Sequence, residues 1–161
     1  MDSPLTQKGI SQALETATKL KNYQFDSIIS SPLGRAFETA KILAENLKIT
    51  KIITNVNLTE RHLGVMQGKT KEESIKIFPQ FFDENNRFIH GSEIPQGETL
   101  KEFLSRVNTV VGELKEISKT SRILVVTHDG VLHAVVGIVN EIEFGDVQNH
   151  YKFAHCEPVF L

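Results

Sequence analysis

Four consecutive apolar residues, Ile123-Leu124-Val125-Val126, run without polar alternation into Thr127-His128-Asp129-Gly130, and then into a second apolar stretch from Val131 to Val139. A short strand that is apolar at every position suits one covered on both faces, the usual situation of a strand in a parallel sheet between helices. The same succession occurs upstream. Asp26-Ser27-Ile28-Ile29-Ser30 reads as a brief strand, Ser31 as a helix cap and Pro32 as the first residue of a helix. That helix turns Leu33, Ala36, Phe37, Ala40, Leu43 and Leu47 inward. Strands alternating with helices select the α/β class with a mostly parallel sheet, since parallel neighbours need a crossover that a helix supplies.

The remaining elements fit the same plan. Ile10, Ala13, Leu14, Ala17 and Leu20 recur at helical spacing behind Thr6, which can cap them. Lys51 to Val56 is a second strand and Thr70 to Phe78 a shorter helix. Pro79 to Gly97, with Pro95 and two glycines, reads as a surface excursion of the kind that shapes the mouth of a site. The longest helix carries Leu100, Phe103, Val107, Val110, Leu114 and Ile117 on one stripe and ends before Ser121. With 161 residues, no repeats, no low-complexity tract and no linker, residues 1–161 read as one domain. A chain of this class that opens on a helix and a loop gives the impression of starting one strand late.

Charge and cysteine usage restrict the partners. A formal net charge of -2 gives no general attraction for nucleic acid or an anionic membrane, so an anion must be caught by local geometry. The lone Cys156 excludes an internal disulfide framework and the Cys/His clusters of zinc sites, which suits a reducing cytoplasm. Met1-Asp2-Ser3-Pro4 has neither a basic stretch nor an apolar run, and no later run approaches transmembrane length. A cytoplasmic protein without membrane or nucleic-acid partners is expected.

Chemistry concentrates where the strands end. Helix N-termini present unpaired amides and partial positive charge, so the two strand-to-helix junctions are places where a phosphate can rest. In open α/β sheets, such tips line the ligand crevice. Arg35 stands about one turn inside its helix, where its guanidinium can fork onto phosphate oxygens; the plain alternative is a surface arginine paired with Glu38 or solvent. His128 stands where an apolar strand stops, a position shared by catalytic and by hydrogen-bonded structural histidines. Glu60, in Leu58-Thr59-Glu60-Arg61-His62-Leu63-Gly64, is either a general acid or half of a solvated pair with Arg61. His62, His90, His150 and His155 show no metal-ligand spacing and read as loop, edge or packed polar residues.

Ser30-Ser31-Pro32-Leu33-Gly34-Arg35-Ala36-Phe37-Glu38-Thr39-Ala40 and Val125-Val126-Thr127-His128-Asp129-Gly130 resemble two segments of the histidine phosphatase superfamily, the phosphoglycerate-mutase-like fold. The resemblance implies a three-layer α/β/α domain whose first strand ends in an Arg-His-Gly triplet bearing the nucleophilic histidine. This chain begins at Met1-Asp2-Ser3-Pro4-Leu5-Thr6, inside the loop that follows that triplet, so the first strand is missing from it. Arg61-His62-Leu63-Gly64 is no substitute, because no strand leads into it and it belongs to the Glu60 segment. By the same resemblance Arg35 binds phosphate, His128 is the second histidine of the pocket, and Glu60 is the acid or base. Many relatives carry glycine at the position of Asp129 and arginine at that of His133. The family uses no metal, and neither metal nor cofactor is expected.

The expected function is phosphomonoester hydrolysis on a small phosphorylated metabolite, through a phosphohistidine whose nucleophile lies outside these residues, leaving the chain inactive as given. Two alternatives remain: a noncatalytic phosphate-ligand-binding or interaction module, and a phosphoglycerate mutase. Glu-Arg-His followed by Gln67-Gly68 resembles the mutases, but the stretch from Glu60 to Pro95 is too short for the insertion by which mutases grip phosphoglycerate. An unrelated nucleotide-binding domain is disfavoured by the absence of a glycine-rich dinucleotide fingerprint or a Walker loop. The gap left by the first strand is expected beside the strand that ends at Thr127, and a homodimer or exchange through that open edge, or else marked instability, is a further expectation.

Overall fold

The structure is a computed structural model that describes residues 4–89 and 91–161. Among these residues the fold is mixed α/β, with six helices accompanying a parallel sheet of three strands. The described residues fall into two compact units, one from Arg61 to Arg106 and the other comprising the rest of the chain.

In the larger unit, α1 (Gln7–Leu20) begins where the sequence places it. The Thr6 hydroxyl accepts the Gly9 N–H at 3.1 Å and satisfies one of the first-turn donors. β1 (Ser27–Ser30) follows and is buried at all four positions. It is the central strand, parallel to β2 (Ile52–Thr54) on one side and to β3 (Ile123–Val126) on the other. α2 (Gly34–Leu47) packs on this sheet, and Ala36, Ala40, Leu43 and Ala44 form the core with Ala17, Ile28, Ile49 and Val126. α5 (Asp129–Asn140) leaves the end of β3 and is followed by α6 (Phe144–His150), a helix that the sequence pattern had not suggested.

Three expectations need correction. Ser31 does not cap α2 and Pro32 does not open it: the helix starts at Gly34 behind Leu33, which offers no side-chain cap. The Ser31 hydroxyl accepts the Leu33 N–H at 3.3 Å, one residue ahead of the helix. The second strand spans three residues, because the Asn55 side chain accepts the Asn57 N–H at 2.9 Å and turns the chain into a short 3-10 segment, Val56–Leu58. Finally, β3 is less covered than its apolar run implied. Ile123, Leu124 and Val125 are only half-buried, and the outer edge of β3 has no strand beside it among the described residues.

The unit from Arg61 to Arg106 contains α3 (Lys71–Ile77), begun by a capping box in which Thr70 and Glu73 each bind the other's amide. Those bonds from Thr70 pull the Glu73 carboxyl below its ordinary pKa. The excursion expected from Pro79 to Gly97 is more ordered than a plain loop: it holds a 3-10 turn, Pro79–Phe81, and an antiparallel bridge between Phe82 and Phe88. Between the bridged residues, Asp83 Oδ1 accepts the N–H groups of Asn85 and Arg87. Gly64 adopts φ +47°, and a Cβ there would stand 2.1 Å from the Pro95 carbonyl, so only glycine fits. α4 (Leu100–Ser118) is the longest helix, starts within this unit, and stops ahead of Ser121 as expected.

Candidate active site

Because β1 and β3 run parallel with Ser30 opposite Val126, the two chains leave the sheet at the same end. Ser31 N–H donates to the Val126 carbonyl at 2.9 Å, extending the ladder by one bond and setting Ser31 beside the start of the Thr127-His128 turn. There the Ser31 hydroxyl lies 2.8 Å from His128 Nε2, with both residues buried. His128 is the residue ahead of α5, in extended conformation, and provides no side-chain cap for that helix. Its ring is therefore directed to Ser31 instead of to its own helix.

The Glu60 segment is fastened to the same turn at two points. The Thr127 hydroxyl donates to the Leu58 carbonyl at 2.8 Å, and Glu60 Oε2 accepts the Gly130 N–H at 3.3 Å. Gly130 lies in the first turn of α5, where amides have no helical acceptor, so a carboxylate there is favoured by both hydrogen bonding and the helix dipole. A Cβ built on Gly130 would come within 2.6 Å of Glu60 Oε1. The absent side chain is what lets the carboxylate settle against the helix.

Of the three residues singled out in the sequence, Glu60 and His128 are thus brought to one turn. Arg35 is at the start of α2, half-buried, and no bond joins its guanidinium to either of them. It is not paired with Glu38, whose carboxylate accepts the Leu5 N–H at 2.9 Å. Among the described residues the Arg35 guanidinium makes no ion pair or hydrogen bond; only its carbonyl is used, by the Thr39 hydroxyl.

The extra carboxylate, Asp129, is 60% exposed and its Oδ1 lies 3.6 Å from Nδ1 of His133 one turn along α5. That is the direction along the helix, away from the His128–Ser31 bond. His133 is buried, with Nδ1 2.8 Å from the Asp129 carbonyl and Nε2 3.4 Å from that of Tyr151. Arg61 is buried instead of solvated and donates to the carbonyls of Glu98 at 3.0 Å and Ser92 at 3.3 Å. Burial lowers its pKa, and the nearby Glu98 carboxylate opposes that shift. Glu98 in turn holds Arg106 through both carboxylate oxygens, at 2.6 and 2.9 Å.

His62 accepts the Gly64 N–H on Nδ1, and His150 bonds its own helix through the Asp146 carbonyl; both are exposed, as is His155. His90 lies outside the described residues. Among the described residues no three His, Cys, Asp or Glu side chains are grouped to hold a metal ion. No helix of the described residues is long and apolar enough to cross a membrane.

Sequence reasoning assigns Ser31 to capping and Gly130 to the turn behind His128, and pairs neither with a distant partner. Both matter through contacts between segments far apart in the chain, 97 residues for Ser31 and His128 and 70 for Glu60 and Gly130, which no local pattern displays.

A parallel sheet with a histidine and a carboxylate brought to one turn beyond the carboxyl ends of its strands places the site where open α/β folds carry their ligand crevice. The chain belongs to the histidine phosphatase superfamily (branch 1), whose family description matches residues 1–157. It is 36% identical over 137 residues to phosphoglycerate mutase-like protein 4 of Arabidopsis thaliana, an alignment covering 84% of this chain and 60% of that protein. It is 33% identical over 127 residues to a probable phosphoglycerate mutase, GpmB, of Yersinia pestis, covering 79% of this chain and 59% of the relative. The chain therefore spans about three-fifths of the length of these relatives. Among solved structures, it resembles Bacillus stearothermophilus YhfR with a TM-score of 0.80 and 29% identity, covering 91% of this chain and 72% of the other. The fold also matches the alpha-ribazole phosphatase of Shigella flexneri, with a TM-score of 0.78, 24% identity and coverage of 92% and 73%.

Proposed function

We propose that the chain is the larger part of a cytoplasmic phosphomonoesterase acting on a small phosphorylated metabolite, without metal or cofactor. The nucleophilic histidine of the reaction lies in a segment outside these 161 residues. In the first step, that histidine attacks phosphorus and the bond to the leaving oxygen breaks. Glu60 gives the leaving oxygen its proton, while Arg35 and His128 hold the phosphoryl oxygens as charge develops on them. In the second step, Glu60 takes a proton from water, which attacks the phosphohistidine and releases inorganic phosphate. The observation that carries this reading is the convergence of His128 and Glu60 on one turn at the carboxyl ends of β1 and β3.

The names of the two relatives above favour a second reading, a phosphoglycerate mutase, in which the phosphoryl group returns to the same kind of substrate instead of passing to water. The short stretch between Glu60 and Pro95 weighs towards hydrolysis, as does the structural likeness to a protein named a phosphatase.

The test is to compare the 161-residue chain with a version that carries an upstream strand ending in Arg-His-Gly, taken from the genome or grafted from a relative. On an aryl phosphate at mildly acidic to neutral pH, the shorter chain should show no turnover and the completed one should hydrolyse it. A completed protein that binds phosphate analogues but turns nothing over would leave the noncatalytic binder as the better reading. Transfer between phosphoglycerates in excess of hydrolysis would favour the mutase.

A further inference from the structure

Ser31 is 0% exposed, and its hydroxyl oxygen has two neighbours among the described residues. It accepts the Leu33 N–H at 3.3 Å, and it lies 2.8 Å from His128 Nε2. A hydroxyl carries one proton, and a buried hydroxyl that water cannot reach loses free energy unless that proton finds an acceptor. The Leu33 amide is itself a donor, so His128 Nε2 is the one neighbour with a lone pair to offer. We propose that Ser31 is a positioning residue: it donates its O–H to Nε2 and thereby fixes the neutral His128 ring as the Nδ1–H tautomer.

The two ring nitrogens then have separate duties, as they do wherever a second group settles which of them carries the proton. Nε2 anchors the ring to the end of β1, and Nδ1–H is the donor the ring retains. A serine hydroxyl within hydrogen-bond reach of an imidazole also has the geometry of an activated nucleophile. Here the absence of any exposure rules that out, because a phosphorus atom has no approach to the oxygen. The use made of Nδ1–H, donation to a phosphoryl oxygen, rests on the phosphatase reading above, whereas the tautomer itself does not.

The experiment reads the tautomer directly. In the nitrogen-15-labelled 161-residue chain, long-range proton–nitrogen correlation spectra are recorded at a pH where the imidazoles are neutral, with His128 assigned by its loss in His128→Gln. The expected pattern is a pyrrole-type Nδ1 and a pyridine-type Nε2 for His128. Ser31→Ala should lose that single pattern, and Ser31→Thr, which keeps the hydroxyl, should restore it. A wild-type His128 found protonated on Nε2 overturns the proposal, as does an unchanged pattern in a folded Ser31→Ala. If neither variant folds, the wild-type spectrum still decides. Inorganic phosphate is then titrated into the same sample. It should shift the His128 Nδ1 resonance, and Ser31→Ala should bind it about fivefold to tenfold more weakly, the usual effect of one lost hydrogen bond. An Nδ1–H tautomer that phosphate leaves untouched would uphold the role of Ser31 and count against the phosphatase reading alone.

Discussion

β1 and β3 are paired along their whole length and release their chains at the same end of the sheet, yet their sequences and their burial run opposite ways. β1 is Ser-Ile-Ile-Ser, polar at both ends, and is buried at every position. β3 is Ile-Leu-Val-Val, apolar throughout, and only Val126 is buried. Burial follows place in the sheet: α2 reaches both strands, but β1 has a strand on each side, whereas β3 has one on one side only among the described residues. At the end of β1 the polar groups are satisfied in the interior: the Ser30 hydroxyl donates to the Ser31 carbonyl, and the hydroxyl of Ser31, the next residue, pairs with His128. The excess apolarity of β3 is matched to a covering that the described residues do not supply, and an added strand of the complete protein is the covering we propose.

The contrast can be broken by truncation at facing positions. Ile28 and Leu124 are partners in register. Ile28→Ala removes a side chain that is 0% exposed from the centre of the core and should cost about 2–5 kcal/mol in urea unfolding. Leu124→Ala in the same chain should cost less, about 1–2 kcal/mol, since Leu124 packs on the same core but is only partly covered. Repeating both in the protein completed by an upstream strand should bring the second value towards the first. Equal costs in the 161-residue chain would show that β3 is already covered.

The junctions beyond the strands differ as well. Beyond β3, His128 and Glu60 meet within one turn, tied by hydrogen bonds; beyond β1, Arg35 has its guanidinium uncommitted among the described residues. In the completed enzyme His128→Ala should therefore be the more damaging change, slowing turnover about 100- to 1000-fold, as loss of one donor to a developing oxyanion does elsewhere. It should weaken phosphate binding too. Arg35→Ala should lower turnover and binding by about 10- to 150-fold, from roughly 1.5–3 kcal/mol for a hydrogen bond to a charged group. Lysine at position 35 should restore part of this, having the charge without the fork. Phosphate titrations and steady-state rates on both variants check the order, and a larger loss at Arg35 would reverse it.

What was legible in the sequence follows from range. The Thr6 cap, the short helix after Thr70 and the apolar stripes of α1, α2 and α4 are set within one or two turns, and a linear pattern records them. The candidate residues Arg35, Glu60 and His128 were found through resemblance and through their place beside strand ends. What could not be read is the set of partners chosen across the sheet. The Ser31 hydroxyl lies 2.8 Å from Nε2 of His128, a residue 97 positions away beyond the end of β3. The coverage of β3 depends on which strand stands beside it, which its own composition cannot state. α6, seven residues with Val147 as its buried one, is too short to display a helical period.

The smallest effect is the sharpest test of how the β3 junction works. Gly130 lies in the first turn of α5 and a Cβ on it would meet the Glu60 carboxylate at 2.6 Å, the far end of a side chain that can swing aside. Gly130→Ala should consequently leave the fold intact or even raise its stability by up to about 1 kcal/mol, the helix preference of alanine over glycine. The carboxylate, however, must leave its place against the Gly130 amide. In the completed enzyme, turnover of esters with poor leaving groups should then fall by about tenfold, the loss expected for one displaced charge-assisted hydrogen bond. An aryl phosphate, whose leaving group needs little protonation, should be hydrolysed at nearly the original rate. Phosphate binding should be unchanged, because Arg35 and His128 are undisturbed. Equal slowing of both kinds of ester would mean that Glu60 is not the acid, and that its bond to Gly130 serves only to hold the loop.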